Sequence, residues 1–217
     1  MVTEYLIAVG MAALTAGAAG LTAGRLAGKN GSLPEQPKTG KRAVILTGIV
    51  AAYFGIALLF EVYGYSFWKK ERYFILLCAL FFLAEGDRRE RRIPNRGLAI
   101  LAILRLAVLA GEIASYPGLW QDFMLHAFGG AAASFFLMIV AFFLSREKIG
   151  MGDVKLLTVM GFYLGFSLTY IVLLLSLVFA AVWGLWNIWK KRVKMKDFVP
   201  FAPFLMAGLT VALGLGF

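Results

Sequence analysis

Two of the twelve acidic residues in this chain sit where a carboxylate is costly. Asp87 lies in the run Glu85-Gly86-Asp87-Arg88-Arg89-Glu90-Arg91-Arg92-Ile93-Pro94-Asn95, directly after an apolar stretch. Asp153 lies in Gly150-Met151-Gly152-Asp153-Val154-Lys155-Leu156-Leu157, directly before another. Two aspartates brought close together cannot both ionise easily, so they share a proton. One carboxylate then activates a water as general base, while the other protonates or polarises a scissile carbonyl. Such chemistry needs no metal and no cofactor. The neighbouring residues suit it. Gly150 and Gly152 remove side chains beside Asp153, which would let an extended substrate backbone approach. Asp153 falls at the start of an expected helix, whose dipole favours a negative charge there. Pro94 stops any helix running on from Asp87, and Asn95 suits the N-cap of the next one. Lys155 either orients Asp153 electrostatically or marks the side of the membrane it lies on; both readings stand.

The elements that must position these groups are membrane helices. The chain has 217 residues, 61% of them hydrophobic and 16% charged, with a mean hydropathy of +0.80. A soluble domain is about 25% charged and has too little interior to hide so much apolar surface. The formal net charge of +10 does not indicate a nucleic-acid partner, because the basic residues stand in short clusters between apolar runs rather than on one face of a soluble module. One cysteine, Cys78, and one histidine, His126, rule out a disulfide framework, a paired-cysteine zinc site and a His-rich metal centre. The N-terminus carries Glu4 and no early Lys or Arg, so it reads as a first membrane helix rather than a signal peptide.

Apolar segments fall at 6–22, 43–63, 73–84, 97–110, 123–144, 154–164, 168–189 and 201–217. The expected fold is therefore an all-α polytopic membrane protein of about eight transmembrane helices, some of them short, forming a single domain over residues 1–217. A helix from Val154 to Trp189 would reach roughly 54 Å, well beyond a hydrocarbon core of about 30 Å, and Gly165-Phe166-Ser167 is the place to break it. With both termini external, 18 of the 22 basic residues fall in cytoplasmic loops, as topology rules require. From Tyr73 to Asp87 a helix spans about 22 Å, so Asp87 reaches the cytoplasmic interface. Asp153 reaches the same face. Ionisable groups at that depth are functional suspects.

The two aspartate stretches resemble the motifs of the type IV prepilin leader peptidases. Gly150-Met151-Gly152-Asp153 followed by Val154-Lys155-Leu156-Leu157 is similar to the family's GxGD block. Residues 87–95, as Asp-x5-Ile-Pro-Asn, are similar to its first aspartate motif, and the separation of 66 residues fits. Gly161-Phe162-Tyr163-Leu164-Gly165 and Pro200-Phe201-Ala202-Pro203-Phe204-Leu205 add weaker similarities, the latter with Ala202 where glycine is usual. The resemblance covers roughly residues 73–217. It implies an aspartic endopeptidase of the inner membrane that removes the basic leader from prepilin or pseudopilin precursors at the cytoplasmic face, with Asp87 and Asp153 as the catalytic pair. Basic leaders would suit contacts from Glu85, Glu90 and Glu147. Members that also methylate the new N-terminus carry an insertion with two CxxC pairs; here residues 25–42 form a short loop in its place, which implies peptidase activity alone.

Two other readings compete. An intramembrane GxGD protease of the presenilin or signal-peptide-peptidase type places a tyrosine before its first aspartate, whereas Gly86 stands here. A transporter or assembly factor could use the acids as a proton relay, though no internal repeat is visible. Arg88, Arg89, Arg91 and Arg92 read as topological anchors. Arg105, inside an apolar run, either pairs with a buried group or snorkels to an interface. His126 and Cys78 read as structural. Trp183, Trp186 and Trp189 share a helix face and read as interfacial anchors.

Overall fold

The computed structural model describes residues 54–90, 93–145, 149–190 and 200–217, and among them every regular element is helical. Residues 66–217 form one compact unit containing α1 (Phe67–Glu90), α2 (Asn95–Ser115), α3 (Pro117–Leu144), α4 (Met151–Trp189) and α5 (Ala202–Gly214). Residues 54–65 belong to a separate unit. There a helix ends at Gly64, whose φ of 62° lets the Tyr65 N–H donate to the Phe60 carbonyl at 3.2 Å, a glycine C-terminal cap.

Helices α2, α3 and α4 are long and apolar enough to cross a membrane, and α5 is a shorter apolar helix. The chain is a membrane protein. The expected segment 6–22, the first half of 43–63 and the loop 25–42 lie outside the described residues. Helix α1 runs past its apolar centre at both ends, through Lys69, Lys70, Glu71 and Arg72 at the start and Asp87 and Arg88 near the close. It is therefore longer than the short span expected from residues 73–84.

The expected break in the 154–189 stretch narrows to one residue. Helix α4 extends over 39 residues but leaves helical conformation at Gly165, with φ 74° and ψ 175°, while Phe166 and Ser167 remain helical. That conformation is open essentially to glycine alone.

Helix α2 shows how the unit is built inside out. Its buried stripe is Leu98, Leu101, Arg105, Val108, Leu109 and Glu112, spaced for one helical face, and two of the six carry charge. Ile100, Ile103, Leu104 and Leu106 are exposed. In a bilayer the exposed side meets acyl chains, so apolar residues need no partner there, whereas the interior can hold paired polar groups.

Between α3 and α4 the backbones touch. A side chain at Gly130 would overlap the Gly161 carbonyl and Gly165 Cα, and one at Gly161 would overlap the Gly130 carbonyl and Ser134. Small residues permit this approach, which supplies dispersion contact where lipid removes the hydrophobic drive. Within α3, a π-helical turn at Leu125–Gly129 carries His126, whose ring lies against Gly165. Helix α5 meets α4 in the same way, with Gly208 against Ser176 and the Val172 carbonyl.

Helices α1 and α2 run antiparallel. The Trp68 indole N–H, at the start of α1, donates to Ser115 Oγ at the end of α2 at 2.9 Å. The opposite end of this pair holds Asp87 and Asn95.

Candidate active site

Asp87 sits near the C-terminus of α1 and is 6% exposed. Its Oδ2 accepts a hydrogen bond from the Ala202 N–H at 3.1 Å. Ala202 opens α5, and Pro203 follows it with no N–H of its own. The first amides of a helix have no internal partner and carry its positive dipole end. Asp87 thus answers an orphan donor of α5, and α5 supplies a neutral, directional partner for the buried carboxylate. This gives the Pro200–Leu205 stretch a local role that its sequence did not disclose: it delivers Ala202 to the first aspartate.

Asp153 sits in the first turn of α4, partly buried. Gly150 is the N-cap, with extended backbone at φ −67° and ψ 135°. The Asp153 N–H donates to the Gly150 carbonyl at 3.0 Å, and the Asp153 carboxylate takes a backbone hydrogen bond from Gly150 in return. An acid at the third helical position reaching back to the cap amide is one half of a capping box. The Asp87 charge acts on Asp153, so the two carboxylates lie within electrostatic reach at the same end of the unit.

The flanking residues bring the two motifs together. Lys155 Nζ donates to Asn95 Oδ1 at 3.2 Å, a contact that ties α4 to α2 and that neither expected role of Lys155 had included. Gly152 packs on Ile93, where a Cβ would stand 3.3 Å from the Ile93 Cβ. At Gly150 a Cβ would stand 3.2 Å from Asp153 Oδ2. Each glycine thus has a close neighbour where its side chain would stand. One makes room for the aspartate's own carboxylate, and the other for the Ile-Pro-Asn segment.

Pro94, with φ −70° and ψ 121°, occupies the N-cap position of α2, and no side chain caps that helix. Asn95, expected as the cap, is instead the first helical residue, and its amide oxygen serves Lys155. Glu85 is half-buried on α1. Glu147 and the side chain of Glu90 lie outside the described residues. Trp183 packs edge-on against Phe204 of α5 at 5.8 Å between ring centroids, and Lys190 covers the Trp186 ring at 4.3 Å.

Arg105 pairs rather than snorkels. It is fully buried; its Nη1 donates to Glu112 Oε2 at 2.9 Å and its Nε to the Phe162 carbonyl at 3.0 Å. Arg72 Nε lies 3.3 Å from the other oxygen of Glu112. Sequence reasoning missed Glu112, although a signal was present. Arg105 and Glu112 are seven residues apart in an apolar run, which places them on one helical face.

A family model described as the type IV leader peptidase family matches residues 74–185, which include both aspartates. Among curated relatives, a prepilin leader peptidase/N-methyltransferase of Bacillus subtilis (strain 168) is 29% identical over 165 residues, covering 75% of this chain and 64% of the relative. One of the same name from Burkholderia pseudomallei (strain 1026b) is 35% identical over 115 residues, 53% of this chain and 32% of the relative. A third, from Pseudomonas putida, is 27% identical over 159 residues, 70% of this chain and 53% of the relative. The chain thus spans between about a third and two thirds of these relatives' lengths. No solved structure matches it.

Proposed function

We propose that this chain, which belongs to the type IV leader peptidase family, is a membrane aspartic endopeptidase that removes basic leaders from prepilin or pseudopilin precursors. One carboxylate of the Asp87–Asp153 pair holds the shared proton and polarises the scissile carbonyl, while the other takes a proton from the attacking water. The reaction takes place at the cytoplasmic face of the inner membrane, an orientation supported by the loop bias of 18 basic residues out of 22. Glu85, Glu90 and Glu147 stay candidates for contacts to the basic leader. The relatives' names include N-methyltransferase. For this sequence we propose peptidase activity alone, because its single cysteine cannot form the two CxxC pairs that the resemblance attaches to methylation.

The observation that carries the reading is the convergence of the two aspartate motifs, 66 residues apart in sequence, at one end of the unit, where Gly152 packs on Ile93 and Lys155 reaches Asn95. A purely structural reading makes each aspartate a helix-end acceptor, one for Ala202 and one for Gly150. Asparagine separates the two roles, since its amide oxygen still accepts those N–H bonds but cannot carry a proton. Asp87→Asn and Asp153→Asn should each lower precursor cleavage on the order of a hundredfold or more while the protein stays folded. Cleavage is read by sequencing the products formed from purified precursor in detergent. Near-wild-type turnover in either variant would overturn the mechanism.

A further inference from the structure

The Gly161–Gly165 stretch and the buried Arg105 take no part in the proposed chemistry, yet they meet. The Arg105 Nε of α2 donates to the main-chain carbonyl of Phe162, and the Tyr163 hydroxyl of α4 donates to the main-chain carbonyl of Leu101 at 2.8 Å. Each helix grips the backbone of the other. Both guanidinium contacts to aromatic rings, 5.6 Å to Phe162 and 5.9 Å to Tyr163, lie at the same level. Going to the Lys155–Asn95 contact takes six residues on α2 and eight on α4 from the Leu101–Tyr163 bond, about 9 and 12 Å of helix, and ten and seven from the Arg105–Phe162 bond, about 15 and 10 Å. Both bonds lie C-terminal to that contact on each helix, so α2 and residues 151–164 run parallel, tied at two levels.

The far tie reaches α1 as well. Glu112 receives Arg105 on one oxygen and Arg72 of α1 on the other. The helix carrying Asp87 is therefore joined to α2 by a buried ion triad, and α2 to the helix carrying Asp153 by the Arg105–Phe162 and Tyr163–Leu101 hydrogen bonds. The backbone break at Gly165 gives this tie its purpose. The non-helical Gly165 interrupts the helical continuity of α4, so the register of residues 151–164 depends on contacts on their own side of it: the packing of Gly161 on Gly130 and the ties to α2. A slip of one residue would move Asp153 by about 1.5 Å and turn it by about 100°. Buried charged groups are best attested as devices that fix such a register.

We propose that Arg72, Glu112, Arg105 and Tyr163 are positioning residues that set the registers of the two aspartate-bearing helices from the far end of the unit. The catalytic part of this inference rests on the aspartate-pair reading above; the register itself does not. Tyr163→Phe removes one hydroxyl and keeps the ring, and Glu112→Gln keeps the volume while removing the charge that holds both arginines. Spin labels attached through cysteines at the exposed positions Arg96 and Met151, in a Cys78→Ser background, report the spacing of α2 and α4 beside the site.

For Tyr163→Phe we expect kcat per folded molecule to fall roughly tenfold with KM within about twofold, since small misplacements of reacting groups are expensive. The label distance distribution should broaden at the same time, and Glu112→Gln should broaden it further. An unchanged distribution overturns the proposal whatever the rate does, because a merely structural residue would lower stability alone. A broadened distribution with unchanged kcat overturns the catalytic part. If the unmodified chain cleaves no precursor, the proposed function fails, and the label distances still decide whether the register is set here.

Discussion

The two ends of the α1–α2 pair both bury carboxylates and satisfy them by different means. At the far end Glu112, 2% exposed, is clamped by Arg105 and Arg72, one on each oxygen. Both of its oxygens face cations, which suits a fixed joint between helices. At the near end Asp87 accepts from one main-chain N–H, and Asp153 accepts from another. Among the described residues neither is paired with a lysine or arginine. An amide donor supports a carboxylate without committing both of its oxygens, which leaves capacity for a water or a proton. The difference explains why the same residue chemistry serves architecture at one end and is proposed for catalysis at the other.

The contrast can be broken most forcefully at the far end. Glu112→Ala leaves two buried guanidinium groups without their anion, and removing one partner of a buried pair costs about 3–5 kcal/mol. Thermal unfolding in detergent should show that loss as a large drop in Tm, whereas Asp87→Asn should barely move it. Equal losses in the two variants would remove the distinction between a clamped and an open carboxylate.

A middle-sized effect is expected where the Asp153 segment ends. Gly165→Ala places a side chain at φ 74° and drives its Cβ into the His126 ring; strain of this kind costs about 1–3 kcal/mol. Adding His126→Ala should recover only the steric part, because the backbone strain persists. Full recovery in the double variant would show that contact alone requires glycine here. The smallest effect belongs to the exposed Lys155–Asn95 tie. Lys155→Met should change stability by less than about 1 kcal/mol. A larger loss in thermal unfolding would mean that the near end holds the helices together as firmly as the ion triad does.

Much of this arrangement was legible along the chain. The helical class followed from the apolar runs, and the break near Gly165 followed from the impossibility of spanning a membrane with so long a helix. Pro94 marked the end of the helix before it for a reason local to its ring. The two aspartates stood out because carboxylates beside short apolar runs need explaining. What was not legible depended on partners far away in sequence. Asn95 looked like a cap by residue type, but the position one residue earlier took that place. The neighbour of Gly150 is Asp153, three residues on and within reach of a local rule, whereas the packing of Gly152 on Ile93 joins segments that no local rule relates. Arg105 was visibly anomalous, and its partner Glu112 lay seven residues on along the same helix, but that Arg72 of α1 and the Phe162 carbonyl of α4 meet this pair was not legible.

Local chemistry acts over one or two helical turns, so the sequence by itself determined the membrane class, the neighbourhood of the Gly165 break, and which carboxylates deserved suspicion. Distance in the chain carries no such information about distance in space. Only the tertiary structure could decide that the Ala202 amide meets Asp87, that Lys155 reaches Asn95, and that Glu112 and Arg105 link α1 through α2 to α4. Each of these contacts depends on how whole helices slide and rotate against one another. That is settled by glycine contacts and buried charge across several segments, not by any one of them.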